Sequence, residues 1–307
     1  MRVPDETAIR GAVCSRRTVL RLGASAVVGA AGVCRLARGA ERSGKSPWKM
    51  RLSCSSIAFA SLPLEQAVER IAGLGFEAID IWSAFGGCPH LDDALNKLGP
   101  DKLTELLASH KLDLYAFSVY VGGYPRYAEL LGKAGGGVAV HGSGGFQKPD
   151  DLAGSMKLFL ENLKPELELA EKYNSYIAIE NHSGSSLLNF LDSIKAFVDL
   201  NRHPRLGIAL APYHIQANKE SVEEAIRTCG NQLFFFYAWQ NAPATGQLPG
   251  IGPTDCTPWL AALAEVNFRY PVNPFMHHEP APDAMAEAMA RSAKYLKSCY
   301  EKAVATR

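Results

Sequence analysis

Two glutamates close apolar runs in this chain: Glu180 ends "YIAIE" and Glu279 ends "NPFMHHE". A carboxylate at the end of a buried segment has to be paired, metal-bound or functional, because an isolated buried charge is very costly. Facing each other across a pocket, two such groups can act as acid and base on a carbon held between them. A divalent metal bridging them would polarise a carbonyl or hydroxyl and acidify the neighbouring C–H. The histidines point the same way. His90, His141, His182, His214, His277 and His278 lie at or just behind the ends of apolar runs, and His110 and His203 do not.

Those runs belong to a repeating pattern. From Met50 onward, short apolar segments alternate with stretches of helical period. Strands, several of them running on into loops, are expected at 51–59, 77–82, 113–121, 137–144, 175–184, 205–214, 232–241 and 269–280. Helices are expected between them, including one long helix from Lys148 to Lys172. Eight strand–helix units in one domain, 50–307, predict an α/β fold, a closed (β/α)8 TIM barrel. The strands are near-continuous apolar runs, as parallel strands covered on both faces should be. A doubly wound open sheet is the alternative, but no GxGxxG follows the first strand. In a barrel the chemistry sits at the C-terminal ends of the strands. That is where both glutamates and the six histidines fall.

The chain has 307 residues, 47% hydrophobic and 21% charged, with 32 basic and 31 acidic side chains and a net charge of +1. This is ordinary globular composition. It holds no broad basic field for a polyanion, so nucleic acid is not an expected partner. Residues 1–45 differ from the rest. Arg16 and Arg17 precede an apolar, small-residue run from Leu22 to Val33, with a small-residue end near Ala37–Ala40. The run is too short to span a bilayer and has the layout of an export signal. "SRRTVL" resembles the twin-arginine signal. The expected location is therefore the periplasm, with no stable membrane insertion after signal removal. Five of the seven cysteines lie beyond this segment without metal-ligand spacing, and are expected to be buried thiols.

The motifs carry a resemblance. "LPLEQAVERIAGLGFEAIDIW", "VAVHGSG", "IAIENHSG", "LPGIGPTDCTPWLAAL" and "HHEP" make residues 50–303 similar to the sugar phosphate isomerase/epimerase superfamily, the xylose isomerase-like TIM barrels. In the ketose 3-epimerases of that group, glutamates on strands 5 and 8, an aspartate on strand 6 and a histidine on strand 7 hold one divalent metal. The two glutamates also shuttle the proton. The resemblance places Glu180 and Glu279 at these glutamates. It departs at the other two ligands: "APYH" puts Ala211 where the aspartate belongs while keeping His214, and Gln240 is the best match to the strand-7 histidine.

The metal set implied by the resemblance is thus Glu180, His214, Gln240 and Glu279, holding Mn²⁺, Mg²⁺ or Zn²⁺. It is weakened by the lost carboxylate and by an amide in place of an imidazole. The implied catalytic set is Glu180, Glu279 and His214. Trp82, Tyr213 and Trp239 are expected to stack on a sugar or to pack, and His90, His141 and His182 to bind substrate. Asp255 reads as a cap for the helix after strand 7. The expected activity is isomerisation or epimerisation of a small carbohydrate by proton abstraction next to a carbonyl. Two alternatives stand: a lyase or hydratase on 3-keto-glycosides using the same site, and a degenerate barrel that binds a sugar or a partner protein. Association into a homo-oligomer is left open.

Overall fold

The computed structural model describes residues 48–145 and 151–305. The expected export signal, 1–45, lies outside the described residues. Eight parallel strands pair in chain order: β1 (Ser53–Ser55), β2 (Ala78–Trp82), β3 (Asp113–Ser118), β4 (Val138–Gly142), β5 (Tyr176–Glu180), β6 (Leu206–Leu210), β7 (Leu233–Ala238) and β8 (Val272–Pro274). A parallel bridge between Leu52 and Val272 brings the last strand back to the first. This is the expected (β/α)8 TIM barrel.

Side chains alternate along each strand between two apolar layers. On β2, Ile79 and Ile81 join the layer shared with the surrounding helices. Ala78 and Trp82 join a second cluster with Ala116, Val140, Ala178, Ala209, Phe235 and Tyr237. The period-two pattern therefore builds the helix interface and the barrel interior from the same short strands. Each large side chain buried in this way contributes roughly 1.5–3 kcal/mol.

The helices are α1 (Leu64–Gly73), α2 (His90–Asp93), α3 (Gly99–Ser109), α4 (Tyr124–Lys133), α5 (Leu152–Asn162), α6 (Lys164–Lys172), α7 (Leu191–Leu200), α8 (Pro212–Ala217), α9 (Val222–Cys229), α10 (Thr257–Glu265) and α11 (Pro282–Ala305). Several differ from expectation for local reasons. The stretch read as one helix to Lys172 is two, parted at Leu163, because Pro165 has no N–H to continue the ladder and fits the first turn of α6. Strand 1 stops after three residues and turns into a 3-10 helix, Ser56–Phe59. His90 opens α2 instead of lying in a loop. "PYHIQA" forms α8 with Pro212 in its first turn, where an extended turn is expected. The Asp255 carboxylate accepts the Thr257 N–H at 2.9 Å, at the start of α10. Among the described residues, no helix is long and apolar enough to cross a membrane.

Candidate active site

At the C-terminal end of the strands lies a cavity of about 100 Å³, lined by Trp82, Phe85, Tyr120, Glu180, His182, His214, Trp239 and His277. β5 brings Glu180 there as its last residue, 8% exposed. Among the described residues one side-chain hydrogen bond reaches the carboxylate: the Tyr120 hydroxyl donates to Oε2 at 2.9 Å. Burial pushes the Glu180 carboxyl up to about 7, Tyr120 opposes the rise, and the charge of Asp80 adds to it. Glu180 is thus half-ionised near neutrality, the condition a general base needs.

Two of the cavity histidines, His214 and His277, are held neutral. His214, on α8, is pushed down to about 3 by burial, with His182 and His277 adding. His277 is pushed down to about 4 by burial, His278 and His182. The rings of His182 and His214 lie 4.0 Å apart. The Ser183 hydroxyl bonds His214 Nδ1 at 3.0 Å, and the buried Nε2 atom has no partner among the described residues. With the serine proton on Nδ1, Nε2 carries hydrogen and can donate to an oxygen in the cavity. His277 is fixed through its backbone N–H, which donates to Gln247 Oε1 at 3.0 Å.

Aromatic rings make the walls. Trp239 donates through Nε1 to the same Gln247 oxygen at 2.7 Å and stacks on Tyr213 at 4.4 Å. Tyr213 therefore supports the wall and does not line the cavity. Trp82 stacks on Phe275 at 5.3 Å and donates through Nε1 to Asp80 at 2.6 Å. Phe85, 43% exposed, stands at the open side.

Besides Tyr213, four expected residues lie elsewhere: His90, His141, Glu279 and Gln240. His90 is buried with Nε2 on the Leu62 carbonyl at 2.8 Å. His141 pairs with Glu166 of α6 at 3.2 Å. Neither lines the cavity. Glu279 lines a separate cavity of about 280 Å³ with Ile57, Ser61, Gly86, Gly87 and Pro280 among others. The residue before it, His278, has φ of 64°, a left-handed turn just ahead of the glutamate. The two glutamates line different cavities, although Glu279 Oε1 lies 4.0 Å from Nδ1 of His277, which lines the cavity of Glu180.

The donor set implied for a divalent metal does not assemble. Ala211 is fully buried and offers only a methyl. Its N–H donates to Asn181 Oδ1 at 2.6 Å, and its carbonyl accepts from Asn181 Nδ2 at 3.2 Å. Gln240, also fully buried, accepts the Thr254 N–H at 2.8 Å and donates to the Leu248 carbonyl at 2.8 Å. Its amide thus holds the loop after β7. Gly252 permits this approach, since a Cβ there would lie 2.6 Å from Gln240 Cδ. Among the described residues no three His, Cys, Asp or Glu gather closely enough to hold an ion. The residues present do not fit the metal of the ketose 3-epimerases.

Tyr120 and Phe85 complete the cavity, although the motifs did not single them out, and His277, one of the six strand-end histidines, joins them without an expected role. Tyr120 follows an apolar strand just as the histidines do, and a reading keyed to carboxylates and imidazoles passes over it. Asp80, the lone charge in "AIDIW", was visible in the sequence as a polar residue on the inward period of β2.

With the barrel and its mouth in view, the class follows. The chain belongs to the xylose isomerase-like TIM-barrel family, whose model matches residues 68–299. Among curated proteins none matches. Solved structures match the fold. A xylose isomerase-like TIM barrel/4-hydroxyphenylpyruvate dioxygenase fusion protein aligns at 20% identity and TM-score 0.66, over 83% of this chain and 43% of that one. The chain thus spans less than half of that fusion. IOLI protein with a bound zinc atom aligns at 18% identity and TM-score 0.64, over 82% of this chain and 99% of that one. The 3-keto-D-glucoside 4-epimerase of E. coli aligns at 15% identity and TM-score 0.62, over 80% and 100%. D-psicose and L-ribulose 3-epimerases stand among the further neighbours. At such identities the likeness shows the fold.

Proposed function

We propose that this protein is a sugar isomerase or epimerase that removes the proton next to a carbonyl, with Glu180 as the base. The observation that carries the reading is Glu180 itself: a carboxylate at the end of a barrel strand, nearly buried, with a single hydroxyl donor and an open cavity in front of it. Abstraction leaves negative charge on the former carbonyl oxygen. Neutral His214 lines the cavity and is the residue we assign as donor to that oxygen, through Nε2. Tyr120 holds the carboxylate, and Trp82 and Trp239 give apolar walls suited to the C–H faces of a sugar. Return of the proton to the neighbouring carbon isomerises; delivery to the opposite face of the same carbon epimerises. Sugar epimerases among the structural neighbours agree with this chemistry. Arg16, Arg17 and the apolar run after them support action in the periplasm, on a substrate met there.

The test is solvent exchange. The purified chain is incubated in D₂O with ketoses, aldoses and 3-keto-glucosides, and deuterium next to the carbonyl is followed by NMR. Exchange is expected on at least one class and should vanish in Glu180→Gln. Turnover that survives this substitution would overturn the assignment. An ultraviolet-absorbing enone would move the reading to a lyase of 3-keto-glycosides. Tight sugar binding without exchange would move it to a binding barrel.

A further inference from the structure

Behind Glu180 the barrel interior contains a second buried carboxylate, Asp80 on β2, fully enclosed. It accepts from Ser55 Oγ at 2.7 Å, from Trp82 Nε1 at 2.6 Å and from Ser118 Oγ at 3.0 Å. Asn273 Nδ2 donates to Ser55 at 2.8 Å, which directs the Ser55 hydrogen onto Asp80. Ser118 Oγ lies 3.4 Å from the Tyr237 hydroxyl, which lies 3.2 Å from the Tyr120 hydroxyl, which donates to Glu180. β2, β3, β5 and β7 thus contribute to a continuous line of oxygens between two carboxylates.

The hydrogens in this line can be counted. Four links join Asp80 to Glu180 through Ser118, Tyr237 and Tyr120, and the three hydroxyls supply three hydrogens. With both carboxylates ionised, Ser118 points to Asp80 and Tyr120 to Glu180. Tyr237 can then fill only one of the two middle links. One added proton, on either carboxyl, lets every hydroxyl turn the same way and fills all four. The line is therefore complete with one proton and one negative charge.

We infer that Asp80 is the proton store of this site: a proton taken up by Glu180 passes through Tyr120, Tyr237 and Ser118 to Asp80, and returns along the same hydroxyls. In the forward shift Glu180 gives its proton to Tyr120, Tyr120 to Tyr237, Tyr237 to Ser118 and Ser118 to Asp80. Four O–H bonds break and four form, nothing is oxidised, and the negative charge moves from Asp80 to Glu180. Glu180 is thereby an anion again, ready to act as a base. Asp80 acts through the hydroxyls and is a positioning residue.

The ends of the line are matched in environment. Both are buried carboxyls that accept from hydroxyls: Asp80 is fully enclosed and Glu180 is 8% exposed. Other titratable groups that face Asp80 are Cys54, Cys88 and Tyr115, all held protonated by burial. Those facing Glu180 across the cavity are His182, His214 and His277. The inference rests on Glu180 being the base of the proposed reaction, but its test needs no substrate.

The test is carbon-13 NMR of the carboxyl groups across pH, on the chain labelled at Asp and Glu carboxyl carbons, with Asp80→Asn and Glu180→Gln giving the assignments. Asp80 and Glu180 should shift together at one midpoint, each by part of the full amplitude, for one proton in total. Tyr237→Phe keeps the ring and cuts both middle links, and Ser118→Ala cuts the line at the far end. In a folded variant of either kind, each carboxyl should titrate alone with full amplitude. Two independent full steps in the unsubstituted protein, or joint curves that survive a cut, would overturn the store. A chain inert to every sugar but with joint curves would keep the store and remove the proposed reaction. Exchange that depends on Glu180 with unlinked curves would do the reverse.

Discussion

Glu180→Gln should cost all proton abstraction and yet stabilise the barrel at neutral pH. The Glu180 carboxyl stands at about 7 against the ordinary 4.5. That difference corresponds to about 3 kcal/mol favouring the neutral form in the native site. The sign follows from linkage. Below the ordinary value both native and unfolded chains carry the proton, and the site costs nothing. As pH rises from 4.5 towards 7, the unfolded chain releases its proton while the native chain keeps it, so native stability falls. Above about 7 the loss is complete. Glutamine keeps the shape, can accept the Tyr120 hydrogen through its amide oxygen, and does not ionise. The variant should match the unsubstituted protein near pH 4 and exceed it by about 3 kcal/mol near pH 8. Urea unfolding at several pH values across that range, followed by circular dichroism, measures the gap. A gap that does not widen with pH would refute the claim that Glu180 carries its charge at a cost, and with it the argument for its basicity.

Three further expectations come from individual side chains. His214→Phe removes the free Nε2 donor and should lower kcat by about 10²–10³-fold on whichever sugar the exchange assay identifies, with the fold retained. Gln240→Ala deletes both bonds that hold the loop to Leu248 and Thr254. It should cost about 1–3 kcal/mol and speed amide exchange in 247–254. Ala211→Asp buries a carboxyl where Asn181 already takes both backbone groups. It should destabilise by roughly 3 kcal/mol or more, and calorimetry with Mn²⁺ should show no gain in affinity, since Gln240 and Glu279 remain where they are.

The architecture was legible because a parallel strand buried on both faces writes itself as an apolar run, and eight such runs leave little choice of fold. The position of each strand end was legible for the same reason, which is how Glu180, His182, His214, Trp82 and Trp239 could be expected at one mouth. Periodicity fails where the chain leaves the strand. β8 ends at Pro274, and the next five residues carry His277 into the cavity and Glu279 out of it. A left-handed φ at His278 leaves no trace in the spacing of "HHEP". The break at Leu163 was legible from Pro165 but was masked by an unbroken apolar period on either side.

Ala211 and Gln240 show a subtler limit. Read as positions in a motif, they are a lost ligand and a weak one. In the fold both are fully buried, and both take part in fixing the mouth: Asn181 clamps the backbone of Ala211, and the Gln240 amide is bonded at both ends. The same strand ends that present a metal in the resembling enzymes here present packing. Glu180 is met from behind by a hydroxyl line that ends on Asp80. Polar residues on the inward period of strands, Asp80, Ser118 and Tyr237, are thus where this barrel keeps the proton inventory that a rim-centred reading does not see.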